Sequence, residues 1–304
     1  MTITRDLPVW RSLMYVPINV DKFVTRAHTR GADVIQLDLE DSVPPSEKAA
    51  ARQLVERVTP QVRAGGGDVV VRINRPIQLA VRDIEHSVVE GVDGLAITKV
   101  DSASHLKILD ELVSELELAR GLPVGGIRFI AMIETAEAFL DIGNILCATD
   151  RIVAANIGGE DFATDCNMEP LAETLLYPKQ HMVIAANAAG VMPLGFVSSV
   201  ADYSDMDAFA AMVRRSRAFG FMGAGCIHPL QVPVINEAYK PGDDEVKWAR
   251  KVIDGYEVAK AEGRASFALD NKMIDIPIVE RAERLVRRAE AVAAREATKA
   301  AAHG

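Results

Sequence analysis

Eight short apolar runs of strand length recur along the chain, separated by Ala-, Glu- and Arg-rich stretches with helical spacing. The pattern predicts strands over Ser12–Val16, Val34–Leu39, Val69–Ile73, Gly94–Thr98, Arg128–Ile133, Ile152–Ile157, Gly195–Ser199 and Gly225–Ile227. Their starts lie mostly about two to four dozen residues apart, the length of one strand–helix unit. A strand followed by a helix, repeated, builds a parallel sheet covered by helices. Eight such units argue for a closed (β/α)8 TIM barrel rather than an open doubly wound sheet. Two helix starts are legible between the strands, one with Ser46 as N-cap before Glu47 and one opened by Asp101–Leu106.

Beyond the eighth run the pattern changes. Asp243–Ala261 and Ile278–Ala297 read as helices, with strong turn signals through 267–277 between them. We expect residues 1–235 to form the barrel and residues 236–304 a C-terminal helical extension. A helical tail has no place inside a closed barrel, so it is expected to pack on a neighbouring subunit of a homotrimer or hexamer. Gly65-Gly66-Gly67 precedes a strand, where a phosphate-binding loop would follow one, and reads as a turn.

With 49% apolar residues in 304, the chain can bury a large core. A net charge of -9 argues against nucleic acid as a partner, though a local basic cluster can still bind a small anion. The three cysteines are too far apart for a zinc pattern and suggest a reducing compartment. No stretch approaches a membrane span, and the N-terminus lacks an apolar signal core, so a cytoplasmic protein is expected.

Two of the runs carry chemistry. Phe129–Glu134 and Ile152–Asp161 are apolar stretches that end in carboxylates. Neighbouring parallel strands that each finish on an acid set hard oxygen ligands side by side. That arrangement suits Mg²⁺ with coordination sites left open for substrate. In a barrel, polar residues at the C-terminal strand ends face the active site. They are Glu40 and Asp41 after the second strand, Arg72, Lys99, Glu134, Asp161 and His228. Each also has a structural reading: Asp161 as a helix N-cap, Glu134 paired with Arg128 or a helix dipole, Arg72 as a partner for Asp38 or Glu40. His228 fits a strand cap and Asp275 a surface turn; Glu160 shares the ambiguity of Asp161.

The motifs taken together resemble the citrate lyase β-subunit-like branch of the HpcH/HpaI aldolase family, which includes malyl-CoA and citramalyl-CoA lyases. The resemblance is carried by Arg11-Ser-Leu-Met-Tyr-Val-Pro17, Gly31–Asp41, Val71-Arg-Ile-Asn-Arg75, Thr98-Lys-Val100, Met132-Ile-Glu-Thr135, Gly159-Glu-Asp161, Gly220-Phe221, Ile227–Val232, Asn236-Glu-Ala238 and Lys272-Met-Ile-Asp275. It implies a barrel that binds Mg²⁺ through Glu134 and Asp161. Arg72 would contact the substrate, with Tyr15, Asp41 and Glu134 as further substrate-binding residues. Asp275 would reach an adjacent subunit's site as acid/base. The implied substrates are an acyl-CoA and a small 2-oxo acid. The alternatives are a CoA-independent pyruvate aldolase on 4-hydroxy-2-oxo acids and a citrate lyase β-type subunit that needs an acyl-carrier partner. Departures from the family pattern fall at Ile18, where a bulky side chain is expected to narrow the barrel mouth or alter an acyl-CoA contact, at Ala224, where loss of the family's lysine is expected to remove a phosphate or carboxylate contact, at Asp101, and at Pro193-Leu-Gly195.

Overall fold

The computed structural model describes residues 7–197 and 205–303. Its parallel strands are β1 (Ser12–Pro17), β2 (Val34–Asp38), β3 (Asp68–Ile73), β4 (Gly94–Ile97), β5 (Arg128–Ile133), β6 (Ile152–Ile157), β7 (Met192–Pro193) and β8 (Ala224–Cys226). Among the described residues they form one sheet in the order β7-β6-β5-β4-β3-β2-β1-β8. Its two ends meet: Met222 N donates to Pro193 O and Gly195 N to Gly223 O, at 2.9 and 2.8 Å. Those bonds close the sheet on itself, as the eightfold repeat predicts.

Strands β5 and β6 match their expected bounds, and β1–β4 and β8 differ by a residue or so at an end. The seventh is a correction. It lies at Met192–Pro193, ahead of the Gly195–Ser199 run, whose last two residues fall outside those described. Gly195 has φ +137°, which breaks an extended run, and Pro193 has no N–H to give to a ladder. Ser46 is also corrected: the helix Lys48–Arg52 has Glu47 at its N-cap position and no side-chain cap. The helix Ala103–Ala119 is capped by Ser102, whose hydroxyl accepts from His105 N.

Strand alternation sorts the barrel residues into two layers. Leu13, Val34, Val70, Ala96, Ile130, Met132, Ala154, Met192 and Leu194 pack together as the filled interior. Their neighbours one residue on, such as Ile35, Val71, Ile97 and Ala131, belong to the larger cluster that includes the covering helices. Ile18 and Ala224 lie in that second cluster, essentially without exposure. Neither lines the barrel-mouth cavity, so Ile18 does not narrow the mouth.

The chain divides into two compact units, one ending at Tyr239 and one running from Lys240 to Ala302. The second holds a helix over Asp243–Ala261, a hairpin of Phe267–Leu269 and Lys272–Ile274, and a helix over Ile276–His303. The turn signals fall on the turn of this hairpin, whose two short strands lie outside the eight expected ones. Asp270 and Asn271 both have positive φ, as a tight two-residue turn between antiparallel strands requires. Ala249, Val252, Ile274, Val279 and Ala282 make this unit's own small core. Among the described residues no helix is long and apolar enough to cross a membrane.

Candidate active site

The same alternation that fills the barrel decides which polar residues enter it. Arg72 is two residues beyond interior Val70, Glu134 two beyond Met132, Tyr15 two beyond Leu13 and Asn156 two beyond Ala154. All four line one cavity of about 360 Å³ at the C-terminal ends of the strands. Asp41, Glu160, Asp161 and Lys179 line it too, with Phe196 and Phe221 on its apolar side.

Arg72 organises one wall. It sits directly opposite Asp38 in the β2–β3 register. Its Nε and Nη2 donate to the two Asp38 oxygens at 2.7 and 2.6 Å, a bidentate pair. Nη1 lies 2.8 Å from Glu40 Oε2 and 3.5 Å from Asp41 Oδ2. The Tyr15 ring stacks beneath the guanidinium, 4.9 Å from its centre. The structural reading of Arg72 as an ion-pair partner therefore holds alongside its place in the cavity. Burial would raise the Asp38 carboxyl, but the Arg72 hydrogen bonds more than offset it and hold the group below the usual range.

Glu134 follows β5 and is nearly inaccessible. Its Oε2 accepts from Lys99 N at 2.6 Å and not from Arg128 or a helix terminus. Its other oxygen faces Gly158, where a methyl group would come within 2.4 Å of Oε1. Only glycine leaves room for the carboxylate at this point. Burial pushes the Glu134 carboxyl up from 4.5 to about 7, against the opposing pull of Lys99. Glu40 is likewise raised by burial.

Asp161 lies in the first turn of the short helix Gly159–Asp165, whose N-cap position is Gly158; it is not the cap itself. Its Oδ1 is 3.3 Å from Lys99 Nζ, which also donates to Glu40 Oε1 at 3.0 Å. Glu160 lines the cavity as well, so both acids of that pair are present there. Lys179, 6% exposed on the helix Ala172–Ala189, was not legible in the sequence. Burial lowers its ammonium to about 8, with Glu160 opposing the shift. The one available signal was a lysine directly after Pro178 inside a helical stretch.

His228 is not among the cavity residues; its Nδ1 accepts from Leu230 N at 3.3 Å and shapes a turn. Asp101 pairs with Arg75 and Ser102. Asp275 belongs to the second unit, directly before the helix Ile276–His303, and its carbonyl accepts from Ile278 N and Val279 N.

The arrangement has an excess of acid. Among the described residues, the six carboxylates Asp38, Glu40, Asp41, Glu134, Glu160 and Asp161 gather around the three cations Arg72, Lys99 and Lys179. No group of three or more His, Cys, Asp or Glu among them is arranged to hold a metal ion. Two carboxylates, Glu134 and Asp161, do line the same cavity as hard oxygen donors. A small hard cation that keeps waters or substrate oxygens needs no more than that.

Comparison with known proteins agrees with this geometry. Residues 11–229 match the family model described as HpcH/HpaI aldolase/citrate lyase. A citrate lyase subunit beta of Leuconostoc mesenteroides subsp. cremoris is 33% identical, covering 92% of this chain and 93% of its own. An L-malyl-CoA/beta-methylmalyl-CoA lyase of Cereibacter sphaeroides is 30% identical, covering 86% and 89%. Among solved structures, CitE from Mycobacterium tuberculosis in complex with magnesium, acetoacetate and coenzyme A superposes with a TM-score of 0.69. It is 26% identical and covers 93% of this chain and 98% of its own. A family match across the barrel, with relatives spanning nearly the whole length, makes this chain a member of the HpcH/HpaI aldolase/citrate lyase family.

Proposed function

We propose that this protein is a cytoplasmic, Mg²⁺-dependent lyase that cleaves or forms a 3-hydroxyacyl-CoA of the malyl-CoA or citramalyl-CoA type. Its products would be acetyl-CoA, or a homologue, and a 2-oxo acid. The observation that carries the reading is the surplus of carboxylate at the barrel mouth, where Glu134 and Asp161 line one cavity with Arg72. The malyl-CoA lyase relative and the magnesium and coenzyme A bound to the solved relative support the substrate class.

Glu134 and Asp161 would hold the metal. When bound, Mg²⁺ supplies Lewis acidity that lowers the pKa of a coordinated hydroxyl. Arg72, fixed by two bonds to Asp38, lines the cavity and would stabilise the oxygen that becomes negative as the enolate forms. Tyr15 backs the guanidinium with its ring, and Asp41 would contact the substrate at the rim. Phe196 and Phe221 would keep water from the enolate. Asp275 of a neighbouring subunit would give a proton to the enolate carbon, or take it from the acyl-CoA in condensation. That role makes the extension from Lys240 an intersubunit element of a homotrimer or hexamer.

The deciding assay is condensation of acetyl-CoA or propionyl-CoA with glyoxylate, pyruvate or oxaloacetate, read by mass spectrometry. A new hydroxyacyl-CoA that disappears with EDTA is the expected result. The citrate lyase β relative favours a second reading, in which the acyl group arrives on a carrier protein. Activity with an acyl-carrier substrate and none with acyl-CoA would select it. For Asp275, mixing Asp275→Asn with Arg72→Ala subunits should restore part of the activity that each variant lacks. No rescue in mixed oligomers would remove the shared site.

A further inference from the structure

Strand alternation should carry Lys99 away from the barrel interior, since Ala96 faces inward and Ile97 faces the helices. Lys99 instead takes φ +46°, a left-handed conformation that a long side chain adopts only where its surroundings hold it. Its polar groups reach four other segments. The amide donates to Glu134 Oε2 at 2.6 Å and the carbonyl accepts from Arg75 Nε at 2.9 Å. The ammonium lies 3.0 Å from Glu40 Oε1 and 3.3 Å from Asp161 Oδ1. One residue therefore touches both carboxylates assigned to the metal, one through its backbone and one through its side chain.

We propose that Lys99 is a positioning residue whose ammonium competes with the metal for Asp161 and moves onto Glu40 alone when Mg²⁺ binds. The inference rests on the Mg²⁺ reading above. Six carboxylates around three cations repel one another, and Lys99 bridges two of them. A divalent ion on Asp161 would be repelled by an ammonium at hydrogen-bond range, so the two cations compete for that oxygen. Glu40 remains as acceptor for the displaced ammonium, so its release strands no charge. The backbone bond to Glu134 does not depend on the side chain and keeps that ligand aimed in both states.

The competition sets the sign of a measurable effect. Removing the ammonium should tighten Mg²⁺ binding, whereas a side chain that merely supported the structure would loosen it when lost. Mg²⁺ titrated calorimetrically into the full-length, substrate-free protein should bind Lys99→Met roughly ten-fold more tightly than wild type. Lys99→Arg keeps the charge and should stay within about three-fold of wild type. If Lys99→Met does not fold, Lys99→Gln is neutral, can still donate to Glu40, and carries the same expectation. Equal or weaker binding by the folded neutral variant overturns the inference while leaving the metal assignment in place. No Mg²⁺ binding by wild type, or unchanged binding by Glu134→Ala, removes the metal assignment and the inference with it.

Discussion

Buried ion pairs occur at both ends of this barrel, and they differ in balance. At the N-terminal ends of the strands, Arg11 Nε and Nη2 engage the two oxygens of Asp33 at 2.8 and 3.0 Å. Arg151, just before β6, meets Glu117 at 2.9 and 2.6 Å, and the amides of Ile127 and Gly125 donate to the same carboxylate. Both Glu117 oxygens are thus doubly satisfied. Burial alone would raise that carboxyl, but Arg151 and the amides hold it below its ordinary range. At the C-terminal ends, Glu134 has one backbone donor and is raised to about 7 by burial. Glu40 Oε2, although close to Arg72, has no aligned hydrogen bond. Burial is common to both ends. What separates a structural ion pair from a reactive site here is unfinished compensation, which leaves charge for a ligand to complete.

That contrast can be broken most directly with Arg72→Ala. It should cost about 3–5 kcal/mol of stability, because Asp38 is left buried without its partner. It should also lower kcat by about 10²–10³-fold, the usual loss of one donor aimed at developing charge. Guanidine melts and the condensation assay read the two effects separately. Retained turnover would make Arg72 a structural residue like Arg151. The matching change at the other end, Arg151→Met, should destabilise by a similar ~3–5 kcal/mol, since Glu117 is fully buried. Its turnover per folded molecule should be unchanged, and a loss would show that the two ends are coupled.

Glu134→Gln gives a smaller, pH-dependent effect. With a folded value of about 7 against 4.5 for the free group, Glu134 carries no penalty when both states are protonated, below pH 4.5. As pH rises from 4.5 to 7 the unfolded chain ionises first, and native stability falls by roughly 3 kcal/mol. The neutral amide escapes this. In EDTA, Glu134→Gln should therefore melt above wild type at pH 8 and close to it near pH 4.5. Parallel curves for the two proteins would show that Glu134 is compensated after all.

The parts legible in the sequence were those fixed by local periodicity. Val- and Ile-rich runs such as Val69–Ile73 and Ile152–Ile157 are buried on both faces and cannot hide among helical segments. A carboxylate two residues beyond an interior Met132 falls into the barrel by alternation alone. The misplaced seventh strand shows the limit. Two residues with a proline carry no periodic signal, and the strand exists because β6 and the segment before β8 offer it partners. Lys179 was missed for a related reason, because a helix residue's burial depends on which face packs towards the cavity.

By itself, then, the sequence determined the repeat of strand and helix, the acids at the ends of β5 and β6, and the family. Each of these follows from short-range pattern. Only the tertiary structure decided the balance of charge. Asp38, Arg72, Lys99 and Asp161 are brought together from separate strand ends, and whether a carboxylate is compensated depends on distances and burial. The left-handed turn at Lys99 is the clearest case. Strand alternation points that residue away from the site, and closure of the barrel around Glu134 and Asp161 brings it in.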